Sequence, residues 1–352
     1  KGVDVDGLLT SAIGFGLIVF ALIEGTNLGW WQPKGEFSLF GWTWDWPISV
    51  VPIAAVVGIS FIVLFVLWER HRERVKRDAL LDLALFKVPT FTLGNIAACM
   101  IAVGEFALVF SLPLYLINVA GLGTLQAGYV LGAMAVGALV SGASARKLAE
   151  KFGASGVVLL GLVLEIVGVV AVAFVVADQG NIWLLAALLV VYGIGLGLAA
   201  AQLTSTVLAD IPKDLSGAGS ATQSTVRQLG AAIGAAISAT ALATGIDRVL
   251  AERLAAIDGV PAPMAQRLAE ITAVSAGSNI PGLRGQGDSS RLGGLTDQVV
   301  QVMSQAFAEA TQQALFLSAA AITLGLVAAI LVRRADLRKP TAGATEAHRH
   351  TK

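Results

Sequence analysis

Glu105 sits in the middle of an uninterrupted apolar stretch, Phe91 to Ile117. A charged side chain at mid-membrane depth costs roughly 2.5–3.5 kcal/mol on insertion scales, so an acid there is by default a functional-site hypothesis. Protonation is its obvious chemistry. As a functional group it couples protons or counters a substrate charge; as a structural one it is a neutral carboxyl hydrogen-bonded between helices. Glu165 is placed similarly in LVLEIVGVV. Arg227 and Gln228 lie about three turns into the seventh apolar stretch, where an Arg must find a carboxylate, carbonyls or water. It is then a structural pair, a gate latch or an anchor for an anionic substrate. Asn95, Gln202 and Gln223 are uncharged polar groups in other stretches, able to bond a ligand or a neighbouring helix. Other chemistry has no foothold. His occurs at 71, 348 and 350, Cys99 is the single cysteine, and CxxC and HExxH are absent. No catalytic residue, metal site or cofactor is expected, and an enzyme is the distant alternative.

The elements that must carry these groups follow from composition. The chain has 352 residues, 56% hydrophobic and 14% charged, against about 25% charged in soluble domains. Its 39 glycines suit closely packed membrane helices. Zero net charge points to no nucleic-acid partner. Eight stretches are long enough to cross a bilayer as helices: 8–26, 47–68, 90–117, 125–145, 155–177, 182–209, 216–244 and 312–332. They are continuous rather than alternating, which excludes strands. Basic clusters at 70–87 (Arg70, Arg72, Arg74, Lys76, Arg77, Lys87), 146–151 (Arg146, Lys147, Lys151) and 333–339 (Arg333, Arg334, Arg338, Lys339) all fall on one side, which the positive-inside rule makes cytoplasmic. Both termini of the chain are then cytoplasmic. Trp30, Trp31, Trp42, Trp44, Trp46 and Trp183 fall on the other side, at the interface depth aromatic rings favour.

Residues 245–311 form a long external insertion. IDRVLAERLAAI and PMAQRLAEI have helical spacing and read as amphipathic surface helices forming a lid, or else a partner-binding surface. The tract GSNIPGLRGQGDSSRLGG reads as flexible. DQVVQVMSQAFAEATQQ reads as a helix continuing into the eighth span. The organisation is therefore an extra helix pair (1–68), a basic cytoplasmic loop (69–89), a six-helix unit (90–335) carrying the insertion, and a cytoplasmic tail (336–352). The fold class is an all-α integral membrane protein with eight transmembrane helices.

Three stretches carry a family resemblance: SLPLYLINVAGLGTLQAGYVLG (111–132), DIPKDLSGAGSATQSTVRQLGAAIG (210–234) and KLAEKFG (147–153). The chain resembles the fourteen-helix drug:proton antiporter family of the major facilitator superfamily. KLAEKFG is similar to that superfamily's cytoplasmic loop motif, keeping Glu150, Lys151 and Gly153, with Arg146 where the motif opens on glycine. DVDGLLTSAIGFGLIVFAL resembles the family's extra helices. The resemblance implies the two extra helices plus a C-terminal six-helix half, one piece of a longer polypeptide, with a further N-terminal six-helix half as its partner. It implies proton-coupled export of amphipathic small molecules across the plasma or inner membrane, Glu105 on a cavity-lining helix and Glu165 on a peripheral one. On that placement Glu165 meets the extra pair or a polar neighbour, and Glu165→Gln does little to coupling. The alternatives are an exporter of a metabolite, amino acid or lipid, and a non-transporting membrane scaffold or sensor.

Overall fold

A computed structural model describes residues 5–39, 41–75, 83–290 and 292–337. Lys76, Arg77, Arg338, Lys339, His348 and His350 lie outside the described residues. The helices are α1 (Val5–Leu28), α2 (Val50–Arg74), α3 (Pro89–Asn118), α4 (Thr124–Phe152), α5 (Ala154–Ala177), α6 (Ile182–Val207), α7 (Ser216–Ala255), α8 (Ala262–Val274), α9 (Asn279–Gln286) and α10 (Thr296–Leu337). All except α8 and α9 are long and apolar enough to cross a membrane, so the chain is a multi-pass, all-helical membrane protein. Between α1 and α2 lies one minimal antiparallel pair, β1 (Ser38–Leu39) and β2 (Trp42–Thr43). It carries part of an aromatic cluster in which Trp42, Trp44 and Trp46 pack ring to ring at 5.5 and 5.2 Å. Trp31, Trp42, Trp46 and Trp183 are exposed, as rings at an interface would be.

Small residues let the spans touch backbone to backbone. On α6, Gly193 and Gly197 face α4: a Cβ at Gly193 would stand 2.0 Å from the Met134 carbonyl oxygen, and one at Gly197 2.2 Å from that of Ala138. Gly195, pointing the other way, meets the α5 backbone at Gly161 and Glu165. The alternating glycines of YGIGLGLAAAQ thus seat one helix between two neighbours. Other large seams join α3 with α7 and α10, α5 with α10, and α7 with α10. The extra pair packs on itself through Gly14 and Gly58, and α1 leans on α7.

The insertion departs from its reading in two ways. Ile246, Leu250 and Leu254 are fully buried, but their helix is no separate surface helix; it is the end of α7. At 1.5 Å per residue, α7 (40 residues) and α10 (42 residues) run about 60 Å each, twice a ~30 Å hydrocarbon core. Each is therefore longer than one crossing requires, and the two pack on each other. Arg253 donates two hydrogen bonds to the Glu309 carboxylate, both at 2.9 Å, across that seam. Second, the glycine-rich tract is not loose. Residues 279–286 of it fold as α9, with Ile280 fully buried, and short 3-10 turns follow at 287–289 and 293–295. Arg284 donates to the Val119 carbonyl at 3.0 Å, at the C-terminal end of α3 where the helix dipole favours a cation. Asn118 donates to the Ala276 carbonyl at 2.8 Å. Composition suggested mobility; burial and these bonds outweigh it.

Candidate functional site

The polar centre of the bundle is built on α3 and α7. These helices run parallel: Gly219 meets Phe91, Gly230 meets the Cys99 carbonyl and Gly234 the Val103 carbonyl, while the Ser238 hydroxyl donates to the Ala107 carbonyl at 3.0 Å. The contacts advance together along both chains. On the other flank the Ser318 hydroxyl of α10 donates to the Gly104 carbonyl at 2.6 Å. The α3 backbone is thus clamped on two sides just where it presents Glu105. Beyond it, Pro113 removes one helical N–H, so the Val109 carbonyl loses its usual donor.

Glu105 Oε2 lies 3.9 Å from Arg227 Nη2, with side chains 18% and 41% exposed. The sequence named both residues but did not pair them. At 3.9 Å this is an ion pair without a hydrogen bond, and Oε2 has no hydrogen-bond partner among the described residues. Such a contact is easily broken. Asn95 and Gln223 are both buried and lie between the Phe91–Gly219 and Cys99–Gly230 contacts of the same seam. Asn95 Nδ2 donates to the Phe91 carbonyl of its own helix, whereas Asn95 Oδ1 and Gln223 Nε2 lack partners among the described residues. Two buried polar atoms left open at one level are capacity for a ligand or for each other.

The other candidates stand apart. Gln228 is exposed, and Gln202 is half-buried, its backbone carbonyl accepting from the Ser205 and Thr206 hydroxyls of its own helix. Arg146, Glu150, Lys151 and Gly153 are exposed at the short α4–α5 turn. Gly153, at φ +75°, ends α4 and begins α5 in a conformation an L side chain resists. The Lys151 ammonium stands 5.4 Å over the Phe152 ring. Of the two settings expected for Glu165, contact with the extra pair is not the one the structure shows. The extra pair leans on α7, while Glu165, 0% exposed, faces into the bundle against α6. A helix can be peripheral and still turn one face inward.

Two residues were missed. Tyr192 is 0% exposed with its hydroxyl unpartnered among the described residues, and its signal was a lone phenol in an apolar span. Thr90 donates to Asp210 at 2.5 Å, tying the start of α3 to the α6–α7 loop; its signal was the acid opening DIPKDLSGAGSATQSTVRQLG. A cavity of about 630 Å³ lies elsewhere, between α1 (Leu22) and Trp30 on one side and α7 and α10 on the other, with an apolar lining that includes Ile233, Ile237 and Phe316 but not the acid pair.

Comparison with known proteins bears on what this arrangement is for. The sequence profile of the Major Facilitator Superfamily matches residues 6–235. The chain is 29% identical over 233 residues to the riboflavin transporter RibZ of Clostridioides difficile, covering 66% of this chain and 45% of that protein. It is 31% identical over 180 residues to the multidrug efflux pump LfrA of Mycolicibacterium smegmatis, covering 51% and 35%. It is 24% identical over 295 residues to the tetracenomycin C resistance and export protein of Streptomyces glaucescens, covering 80% and 49%. The chain spans about half the length, or less, of these relatives.

Proposed function

Because the chain belongs to the major facilitator superfamily, we propose that it is the C-terminal portion of a proton-coupled exporter of amphipathic small molecules, working by alternating access. The family is one of transporters rather than enzymes, and export proteins among the relatives agree with the resemblance to its drug:proton antiporter branch. The observation that carries the coupling is the Glu105–Arg227 pair, an acid and a base on two helices at mid-membrane depth, in contact but not hydrogen-bonded. Ionised Glu105 holds Arg227; a proton on Glu105 cancels the attraction and frees both side chains. A substrate that displaces one partner does the same. Binding and protonation thereby compete for one group, the requirement for antiport. Asn95 and Gln223 offer polar contacts one to three turns away, and Gln202 and Gln228 extend the polar face. Arg146, Glu150, Lys151 and Gly153 form the cytoplasmic turn that flexes as α4 and α5 move.

The active unit in this reading includes a further six-helix half closing the cavity, since such transporters place their site between two repeats. The membrane is the plasma or inner membrane, with both termini of this chain on the cytoplasmic side. A second reading, export of an endogenous metabolite, is favoured by the similarity to a riboflavin transporter. A membrane scaffold or sensor would move nothing. The deciding experiment uses full-length protein in proteoliposomes with an imposed pH gradient, and ethidium and riboflavin as alternative fluorescent substrates. Gradient-dependent movement of ethidium supports the first reading, of riboflavin alone the second. Movement of neither, together with no substrate-induced decay of the gradient across a wider panel, overturns the transporter reading.

A further inference from the structure

We infer that the cleft between α1 and the α7–α10 pair binds one zwitterionic phospholipid, whose acyl chain fills it and whose headgroup lies over Asp247 and Arg248. The inference stands apart from the exporter reading and needs only that these helices span a membrane.

The cleft holds about 630 Å³, within the roughly 300–1,000 Å³ of small-molecule sites. Leu22 and Trp30 form one wall, and α7 and α10 form the other. Ile237, Phe316 and Leu317 of that second wall are exposed, so in a bilayer they face hydrocarbon. An empty gap there forfeits the dispersion contacts of both walls, and water finds too few polar partners to fill it. An acyl chain laid in the cleft touches protein on two sides, whereas a chain against the outside of a span touches it on one. That difference sets a held lipid apart from the surrounding bilayer.

The lining is graded along the helices, and the gradient orients the occupant. On α7 it runs from Ile233 and Ile237 to Thr240 and Thr244. Antiparallel to it on α10, Gln313 comes before Phe316 and Leu317. A Cβ at Gly245 would stand 3.4 Å from Gln313 Oε1, so Thr244 and Gln313 mark the same end of the cleft. Trp30, just past the end of α1, marks that end too, and an indole favours the membrane–water interface. Asp247 and Arg248 follow Thr244 by three and four residues, on the same face of α7. Both are exposed, and neither has an ion-pair partner among the described residues. Further out, Arg253 and Glu309 already satisfy each other. A guanidinium matches a phosphodiester in charge and in paired N–H donors, and the carboxylate beside it matches the ammonium that a zwitterionic headgroup carries next to its phosphate.

The test counts lipids on the full-length protein by native mass spectrometry, in mild detergent, as palmitoyl-oleoyl phosphatidylethanolamine is added. Wild type is expected to hold one such lipid more tightly than any further one. Ala241→Trp fills the cleft from α7 and is expected to weaken that first binding at least about tenfold, an effect that losing about ten carbon–carbon contacts supplies. Val167→Trp, at an exposed position of α5 outside the cleft lining, is expected to leave it unchanged. Arg248→Gln is expected to weaken phosphatidylethanolamine without weakening diacylglycerol of the same chains. Wild type with no preferred first lipid, or Ala241→Trp that binds it as wild type does, overturns the inference. Equal binding of diacylglycerol by wild type overturns the headgroup assignment, and displacement of the lipid by ethidium overturns the lipid assignment and makes the cleft a substrate site. Should Ala241→Trp fail to fold, Thr244→Val combined with Gln313→Leu keeps the volume and removes the polar end. That variant must lose preference for phosphatidylethanolamine over diacylglycerol; an unchanged preference overturns the site.

Discussion

Glu105→Gln should separate coupling from folding. What the substitution removes from the fold is small. Unit charges 3.9 Å apart attract by about 1 kcal/mol in water and about 4 kcal/mol at an effective dielectric constant near 20. Arg227 is 41% exposed, which moves the value toward the lower figure. Glutamine matches the neutral acid in size, and Oε2 forfeits no hydrogen bond because it makes none. The loss of stability is on the order of 1 kcal/mol, near the aqueous figure, and substrate binding survives. What it removes from transport is far larger. One pH unit supplies about 1.4 kcal/mol per proton and sustains up to a tenfold substrate gradient. A glutamine carries no proton, so that ratio should fall to about one. The assay is full-length protein in proteoliposomes, with accumulation under an imposed pH gradient measured beside energy-independent counterflow. The variant should lose the first and keep the second. Glu105→Asp should retain part of the accumulation with a shifted pH dependence. Wild-type accumulation in Glu105→Gln would refute the reasoning and leave Glu105 a structural or substrate-orienting group.

Other consequences are quicker to check. Topology predicts that, with Cys99 replaced, a cysteine at position 288 labels from outside intact cells while one at 74 labels only after permeabilisation; labelling of 74 in intact cells reverses the scheme. Gly193→Ala places a methyl 2.0 Å from the Met134 oxygen and should separate α4 from α6, lowering the melting temperature in detergent, whereas Gly128→Ala, with open space around it, should not. Arg284→Ala removes the charged donor to the Val119 carbonyl, worth about 1 kcal/mol at a solvent-exposed position. It should speed hydrogen exchange over residues 277–290 without changing exchange in the spans.

How much of this was legible beforehand follows from which forces are local. The eight spans were readable because lipid demands about twenty continuous apolar residues with every backbone bond satisfied inside the segment, a condition each stretch meets or fails alone. Glu105, Glu165 and Arg227 stood out for the same reason: a charge in an apolar run is visible without knowing its neighbours. The drug-transporter resemblance was carried by contiguous motifs, again local. The partners were not legible. That Arg227 rather than another group meets Glu105 depends on α3 and α7 running parallel with Gly230 and Gly234 pressed on α3, 120 or more residues away in sequence. Residues 246–257 have the same amphipathic pattern whether they lie on a membrane or extend α7; the packing of α7 against α8 and α10, with Ile246, Leu250 and Leu254 buried, decided. The glycine-rich tract folds because Arg284 and Ile280 find distant partners, which its composition does not encode. Glu165 shows the division most plainly: sequence fixes that an acid lies in the membrane, while the rotation of α5 against Gly195 and Tyr192, set by packing over the whole bundle, turns it inward.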